Sequence, residues 1–286
     1  LHTLVTSERN GYYEDFGSIH DLAKAYSEGF VYSGRYSHFR RRRHGNSSQD
    51  IASHRFLVFG QNHDQVGNRA EGERLSQIVP FESLKLIAGA VLLSPFIPLL
   101  FMGEEYAESS PFQYFVSHGD EDLIHSVREG RRKEFERFNW QNSISDPQSL
   151  ETFMRSKLHW DQRTRGQHAT LLSFYTHLLA LRRTVPALSH LDKQTSRVTA
   201  FDPSALIVER WHDADRVVIA FNFARSANSL VLPTVPGVWK KLLASADSEW
   251  GRLGIETPSM LDSEGPVTLD VPPTSFIVFR LEGGSD

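Results

Sequence analysis

FLVFGQNHDQVGNR, Phe56 to Arg69, decides the fold. Its first four residues are apolar and strand-prone, Gly60 breaks the run, and five polar residues, Gln61 to Gln65, follow before a second glycine at Gly67. An apolar strand that stops at a polar cluster and hands over to a helix is the βα unit of a parallel sheet, which gathers its reactive groups at the carboxyl ends of its strands. The strand is expected over Arg55 to Gly60, apolar on both faces. The same pattern recurs downstream. Pro80 pre-sets a helix over Phe81 to Leu93, with Leu84, Ala88, Val91 and Leu92 facing inward. Next, IPLLFMGEEY (Ile97 to Tyr106) is a second apolar run ending in a glycine and the carboxylates Glu104 and Glu105. Two consecutive βα units of a parallel sheet follow from this repetition.

Upstream, Ser18 opens SIHDLAKAYSEGF with a capping pattern completed by Asp21, Ile19, Leu22, Ala23 and Tyr26 share one helical face, and Gly29 supplies the stop. The basic run Arg40 to Arg43 with His44 reads as a solvated loop rather than an anion site, because no second basic patch accompanies it. LHTLVTSE at the start reads as the middle of a helix, without initiator methionine or leader, so a longer parent chain is expected.

Downstream, residues 107–166 form a long connection rich in aromatic and charged side chains (Phe112, Tyr114, Phe115, Trp140, Trp160, Arg128, Arg131) with one short helix near Asp120 to Arg128. Connections of that length inside a domain are usually functional. A helix over His168 to Arg183 follows. From Pro186 the pattern becomes short β-rich runs (TSRVTAFD, ALIVERWH, RVVIAFNFA, NSLVLP, VWKKLLAS, SFIVFRLE) spaced by turn residues, which implies an antiparallel sandwich or barrel of roughly one hundred residues.

Composition narrows the chemistry. At 286 residues with 40% hydrophobic and 23% charged side chains the chain is globular, and a formal net charge of -4 disfavours a nucleic-acid partner. The absence of cysteine removes disulfides, thiolate nucleophiles and cysteine-ligated metals. The most apolar stretch, Leu84 to Met102, is broken by Ser94, Pro95 and Pro98, so it reads as helix, turn and strand and no membrane partner is expected.

The polar cluster admits a metal site, a general acid/base pair or a sugar-binding pair. No second histidine or carboxylate stands at ligand spacing from His63, so no metal is expected. Were the cluster an extended strand end, His63 and Asp64 would diverge and make poor partners for one another. Carbohydrate fits best, since sugar hydroxyls want paired donors and acceptors and aromatic faces cover the ring. Glycosidic cleavage with retention needs two carboxyl groups about 5 Å apart, to which Asp64 could add a fixed anion.

Three ordered blocks carry a resemblance: QNHDQVGNRAEGERL (Gln61 to Leu75), PLLFMGEEYAESSPFQYFVSH (Pro98 to His118) and VREGRRKEF (Val127 to Phe135). The first resembles the His-Asp motif after the seventh barrel strand of the α-amylase family, glycoside hydrolase family 13. Together the three resemble the trehalose-releasing hydrolases within that family. The resemblance implies an α/β fold: residues 1–186 as the C-terminal part of a (β/α)8 TIM barrel with the 107–166 insertion, then 187–286 as a C-terminal all-β antiparallel sandwich. It implies that Asp64 is the transition-state-stabilising carboxylate and that His63 bonds the same sugar. Asn62, Gln65, Arg69, Glu105, Tyr106 and Phe115 become substrate-binding candidates. The expected substrate is maltooligosyl trehalose or a related α-glucan, cleaved at the α-1,4 bond beside trehalose in the cytoplasm with no cofactor. The family's nucleophile and general acid lie upstream of the His-Asp motif, and none of Glu8, Glu14, Asp15, Asp21, Glu28 or Asp50 matches their patterns. The missing N-terminal half of the same enzyme is therefore an expected partner, and the isolated chain is expected to be inactive. Two other readings are a glycogen branching enzyme of the same family and a non-catalytic glucan-binding module using Trp239 or Trp250.

Overall fold

The computed structural model describes residues 1–136, 145–252 and 255–283, the side chains of residues 134–136 excepted. A short helix α1 (His2–Thr6) leads into α2 (Ile19–Glu28), whose start is set as the sequence demands. The Ser18 hydroxyl accepts the His20 amide at 3.2 Å, and the Ser18 amide donates to Asp21 at 3.3 Å. A small hairpin follows, β1 (Tyr36–Ser37) with β2 (Arg42–Arg43). Asp15 gathers it by accepting from the Tyr32 hydroxyl at 2.7 Å and the His38 amide at 2.6 Å. Arg40 to Arg43 are exposed on this hairpin.

The chain then forms β3 (Leu57–Val58), α3 (His63–Gly67), α4 (Leu75–Ile78), α5 (Phe81–Leu92) and β4 (Ile97–Pro98). β3 and β4 are parallel, with Leu57 opposite Ile97 and Val58 opposite Pro98. The Ile97 amide donates to Phe56 and the Leu99 amide to Val58, so the two strands and the helical crossover make one βαβ unit. The ladder is shorter than the expected Arg55 to Gly60 strand. Ser53–Arg55 is a tight 3-10 turn, and Pro98 has no amide to donate. Apolar character on both faces does not become burial on both faces either: Phe56 is buried while Leu57 stays 61% exposed.

The connection after β4 is more helical than its composition suggests. α6 (Glu121–Glu136) runs well past Arg128, and a second helix, α7 (Leu150–Arg155), follows. Asp120 starts α6 by accepting the Leu123 amide at 2.8 Å, and Arg128 grips Asp146 with two nitrogens at 2.9 and 2.7 Å. Trp140 lies outside the described residues. The long helix α8 (Gly166–Thr184) and short α9 (Pro186–Ser189) close the helical part.

The β-rich part comprises β5 (Ser196–Phe201), β6 (Ala205–His212), β7 (Asp215–Asn222), β8 (Asn228–Leu232), β9 (Gly237–Ala244), β10 (Met260–Ser263), β11 (Val267–Val271) and β12 (Ser275–Leu281). Six of these strands form an antiparallel sheet in the order β10-β9-β12-β7-β6-β5, and β8 pairs β11 in a separate ribbon. The period-2 alternation divides the sheet cleanly. Leu206, Val208, Val217, Ile219, Phe221, Phe276 and Val278 share a core with α5 and α8, whereas Ala205, Ile207, Val218, Ala220, Ile277 and Phe279 pack with the β8–β11 ribbon. The helical part and one face of the β-rich sheet thus share a core, while the other face builds a second core with the β8–β11 ribbon. Trp239 and Trp250, the aromatics assigned to a glucan-binding module, are buried at 2% and 7% exposure and present no face to solvent.

Candidate active site

The polar cluster does not continue the strand; it turns into a helix. Asn62, extended at φ -144° and ψ 178°, caps α3 by accepting the Gln65 amide on its side-chain oxygen at 2.9 Å. His63 and Asp64 consequently occupy the first helical turn, where their side chains converge: Nε2 of His63 lies 3.4 Å from Oδ1 of Asp64. The divergence expected of an extended segment is overturned by this helical start. Both side chains stand open to solvent, at 70% and 73% exposure.

Asp64, Gln65, Asn68 and Arg69 line a cavity of about 620 Å³ whose opposite wall comes from His2, Leu4, Glu8, Tyr12, Tyr13 and Leu22 among others. Arg69 crosses the wall, its Nη1 standing 3.0 Å from both oxygens of Glu8 and its Nε 3.4 Å from Glu73. His2 bonds Glu8 at 2.8 Å and stacks on Tyr13 with ring centroids 4.3 Å apart. Burial raises the Glu8 carboxyl, but the His2 hydrogen bond and the Arg69 charge outweigh it and hold the group below the usual carboxylate range. Gln65 keeps a buried side-chain oxygen without a hydrogen-bond partner among the described residues.

The cluster at the end of β4 sits elsewhere. Gly103, at φ 85°, turns the chain into a 3-10 segment, Glu104–Tyr106. Tyr106 is fully buried and donates its hydroxyl to Glu108 at 2.9 Å, which makes it a brace of its own loop. Phe115 meets Phe112 and Phe153 edge-on, with centroids 6.0 and 5.1 Å apart. Glu105, Tyr106 and Phe115 do not line the cavity, and neither do Asn62 and His63.

Sequence reading passed over several groups that shape this end of the molecule. Arg131 of α6 reaches across to α3, donating to the Gly67 carbonyl at 2.8 Å and the Asn68 side chain at 3.1 Å while lying over the Tyr114 ring. Arg74, buried over the Phe101 ring, donates to the carbonyls of Ser110 and Met102, each at 2.7 Å. Glu108 accepts from the amides of Ser110 at 2.8 Å and His159 at 2.7 Å. Burial raises Glu108, yet these bonds prevail and its carboxyl lies below the usual range. Their signal was one of register: the blocks Pro98 to His118 and Val127 to Phe135 contain Glu108 and Arg131, but nothing local tells which of their polar residues point inward.

Glu104 behaves oppositely to Glu108. Burial drives its carboxyl up to about 8 with help from the Glu105 charge, against hydrogen bonds from the Phe101 amide, Gln61 and Tyr175. An acid whose folded value exceeds its ordinary 4.5 binds more protons folded than unfolded between those values, so it withdraws stability as pH rises from about 4.5 to 8. Thermal melts across that window should show a decline that Glu104→Gln flattens; an equal decline in the variant would contradict this.

Among the described residues no group of three or more histidines or carboxylates is placed to hold a metal ion, and no helix is long and apolar enough to cross a membrane.

Residues 193–278 match the family model described as "Domain of unknown function (DUF3459)". Over 283 residues the chain is 45% identical to the malto-oligosyltrehalose trehalohydrolase of Rhizobium sp. (strain M-11), covering 98% of this chain and 44% of that protein. The protein of the same name from Saccharolobus solfataricus is 50% identical over 183 residues, 64% of this chain and 31% of its own length. A 1.4 Å crystal structure of a candidate alpha amylase from Salmonella typhimurium superposes with a TM-score of 0.80 at 36% identity, covering 98% of this chain and 45% of that one. The chain thus spans less than half the length of these relatives. A likeness that runs through the helical part, the polar turn after β3 and the β-rich part alike establishes that the chain belongs to the α-amylase family, among the sequences named malto-oligosyltrehalose trehalohydrolase.

Proposed function

We propose that this chain is the part of a retaining α-glucan hydrolase that supplies the transition-state-stabilising carboxylate, and that the whole enzyme releases trehalose from maltooligosyl trehalose by hydrolysing the adjacent α-1,4 bond. The observation carrying this reading is the placement of Asp64: first turn of a helix, directly after a parallel strand, solvent-open beside His63 and on the wall of a cavity. A fixed anion there stabilises the positive charge that develops at the anomeric carbon. His63 bonds the same sugar, and Asn62 holds the turn by its cap. Gln65 and Arg69 border the sugar from the cavity wall, while Glu105, Tyr106 and Phe115 shape more distant subsites, Tyr106 through its loop.

In this reading the β3-α5-β4 unit is the end of a (β/α)8 barrel occupying residues 1–186, and residues 187–286 are the C-terminal sandwich. The remaining barrel strands, the nucleophile and the general acid come from the missing N-terminal half of the same enzyme, a view supported by the 44% coverage of the Rhizobium protein. The reaction needs no cofactor and takes place in the cytoplasm.

Chromatography of products tests the proposal. The full-length protein should release trehalose from maltooligosyl trehalose, and the 286-residue chain alone should release none. New α-1,6 branches on amylose without trehalose release would point instead to a branching enzyme.

A further inference from the structure

The helix that carries His63 and Asp64, α3, is only five residues long. An isolated helix shorter than about 12 residues is marginal in water, so the contacts at its two ends decide where its side chains stand. At the front Asn62 accepts the Gln65 amide at 2.9 Å, and within the helix Val66 is buried. At the back the Asn68 amide donates to the Asp64 carbonyl at 3.1 Å, so whatever fixes Asn68 bears directly on the backbone of Asp64. That end is held from α6. Arg131 donates through Nη2 to the Gly67 carbonyl at 2.8 Å and through Nη1 to the Asn68 side-chain oxygen at 3.1 Å. A carbonyl in the last turn of a helix lacks an intrahelical donor, and the helix dipole favours a cation beside it.

We infer that Arg131 is a positioning residue for Asp64, acting from the 107–166 connection through the C-terminal end of α3. The clamp is set before any substrate arrives. The Arg131 guanidinium lies over the Tyr114 ring, 4.7 Å from its centroid, which restricts where the fork can point. α6 is itself fastened, by the Asp120 cap at its start and by the two-nitrogen grip of Arg128 on Asp146. The Phe112 amide donates to the Gly72 carbonyl at 2.7 Å, so the same connection is also tied to the chain just beyond α3. Two acceptors on adjacent residues suit the planar fork of arginine, whereas the point charge of a lysine satisfies one at a time. The long connection after β4 thereby holds the short helix after β3.

The consequence for catalysis rests on the reading of Asp64 above, whereas the clamp itself is measurable without substrate. In the unliganded full-length protein, hydrogen exchange of the peptide spanning residues 62–69 should speed up several-fold in Arg131→Ala, with β6 and β7 unchanged. The kcat for trehalose release should fall by roughly 10- to 100-fold with a smaller change in KM, since a displaced carboxylate fails mainly in the transition state. In an Asp64→Asn background the same substitution should cost no more than about threefold, because a residue that acts by placing that charge has little left to place. Arg131→Lys should fall between wild type and alanine in both measurements, and it serves if the alanine variant fails to fold. Unchanged exchange at 62–69, a rise spread over β6 and β7, or losses that multiply in the double variant would each overturn the assignment. Faster local exchange in Arg131→Ala together with full activity in Asp64→Asn would uphold the clamp and remove the catalytic reading of Asp64 instead.

Discussion

Asp64→Asn in the full-length protein should lower kcat for trehalose release by about 10²- to 10³-fold or more, with a much smaller change in KM. The substitution keeps the size and most hydrogen bonding of the side chain but removes the charge, and that charge matters most where positive character peaks, in the transition state. Folding gives no competing explanation. The Asp64 side chain is 73% exposed and its contact with His63 lies at 3.4 Å in solvent, a kind of pair worth little to stability. The thermal midpoint should therefore stay within a degree or two of the unaltered protein, on the order of the small changes seen for exposed positions. His63→Ala should raise KM more than it lowers kcat if the imidazole only grips sugar. An Asp64→Asn enzyme that retains a tenth or more of wild-type kcat would remove Asp64 from the reaction.

Phe276→Ala should destabilise the chain by about 3–5 kcal/mol, the usual cost of emptying an aromatic site in a core. Phe276 of β12 is fully buried, packing against Phe174 of α8 and Phe221 of β7 with centroids 6.1 and 5.3 Å apart. Its ring also fills the notch at Gly89 of α5, where a methyl group would come within 2.3 Å of it. Gly89→Ala alone should cost about 1–3 kcal/mol through overpacking. The double variant should cost less than the sum, because the smaller residue at 276 leaves room for the methyl. Since this ring joins helices to sheet, loss of helical ellipticity and of aromatic near-ultraviolet signal should remain a single transition, lowered by on the order of 10 °C for Phe276→Ala. Two well-separated transitions in the unaltered chain would show that the shared core does not couple the parts.

The strand-to-polar handover at Gly60, the capping box at Ser18, the proline start of α5 and the alternation of the β-rich runs were legible because each is a local rule, written within a few residues. The short strands β10 and β11 were not read, as each offers a period of two over only four or five residues, with just Glu264, Gly265 and Pro266 between them. The helical character of 121–136 was underestimated for a related reason: its polarity leaves little apolar periodicity to follow, while its start depends on a single Asp120 cap. At the site, the residue types Asn62, His63 and Asp64 were plain, but their conformation was not. Whether a polar run after a strand stays extended or winds into a helix depends on one side-chain bond, Asn62 to the Gln65 amide.

By itself the sequence determined the parallel βαβ unit, the β-rich second part and the identity of the carboxylate at the strand end, since propensity, capping and alternation act between near neighbours. Only the tertiary structure decided that His63 and Asp64 stand side by side, that Tyr106 and both named tryptophans face inward, and that Glu104 is buried with no ion-pair partner among the described residues while Glu108, five residues beyond Gly103, is ringed by donors. These are matters of burial and of partners far apart in the chain, such as Gln61, Tyr175 and His159, and a carboxyl group's charge is set by that company rather than by its own sequence.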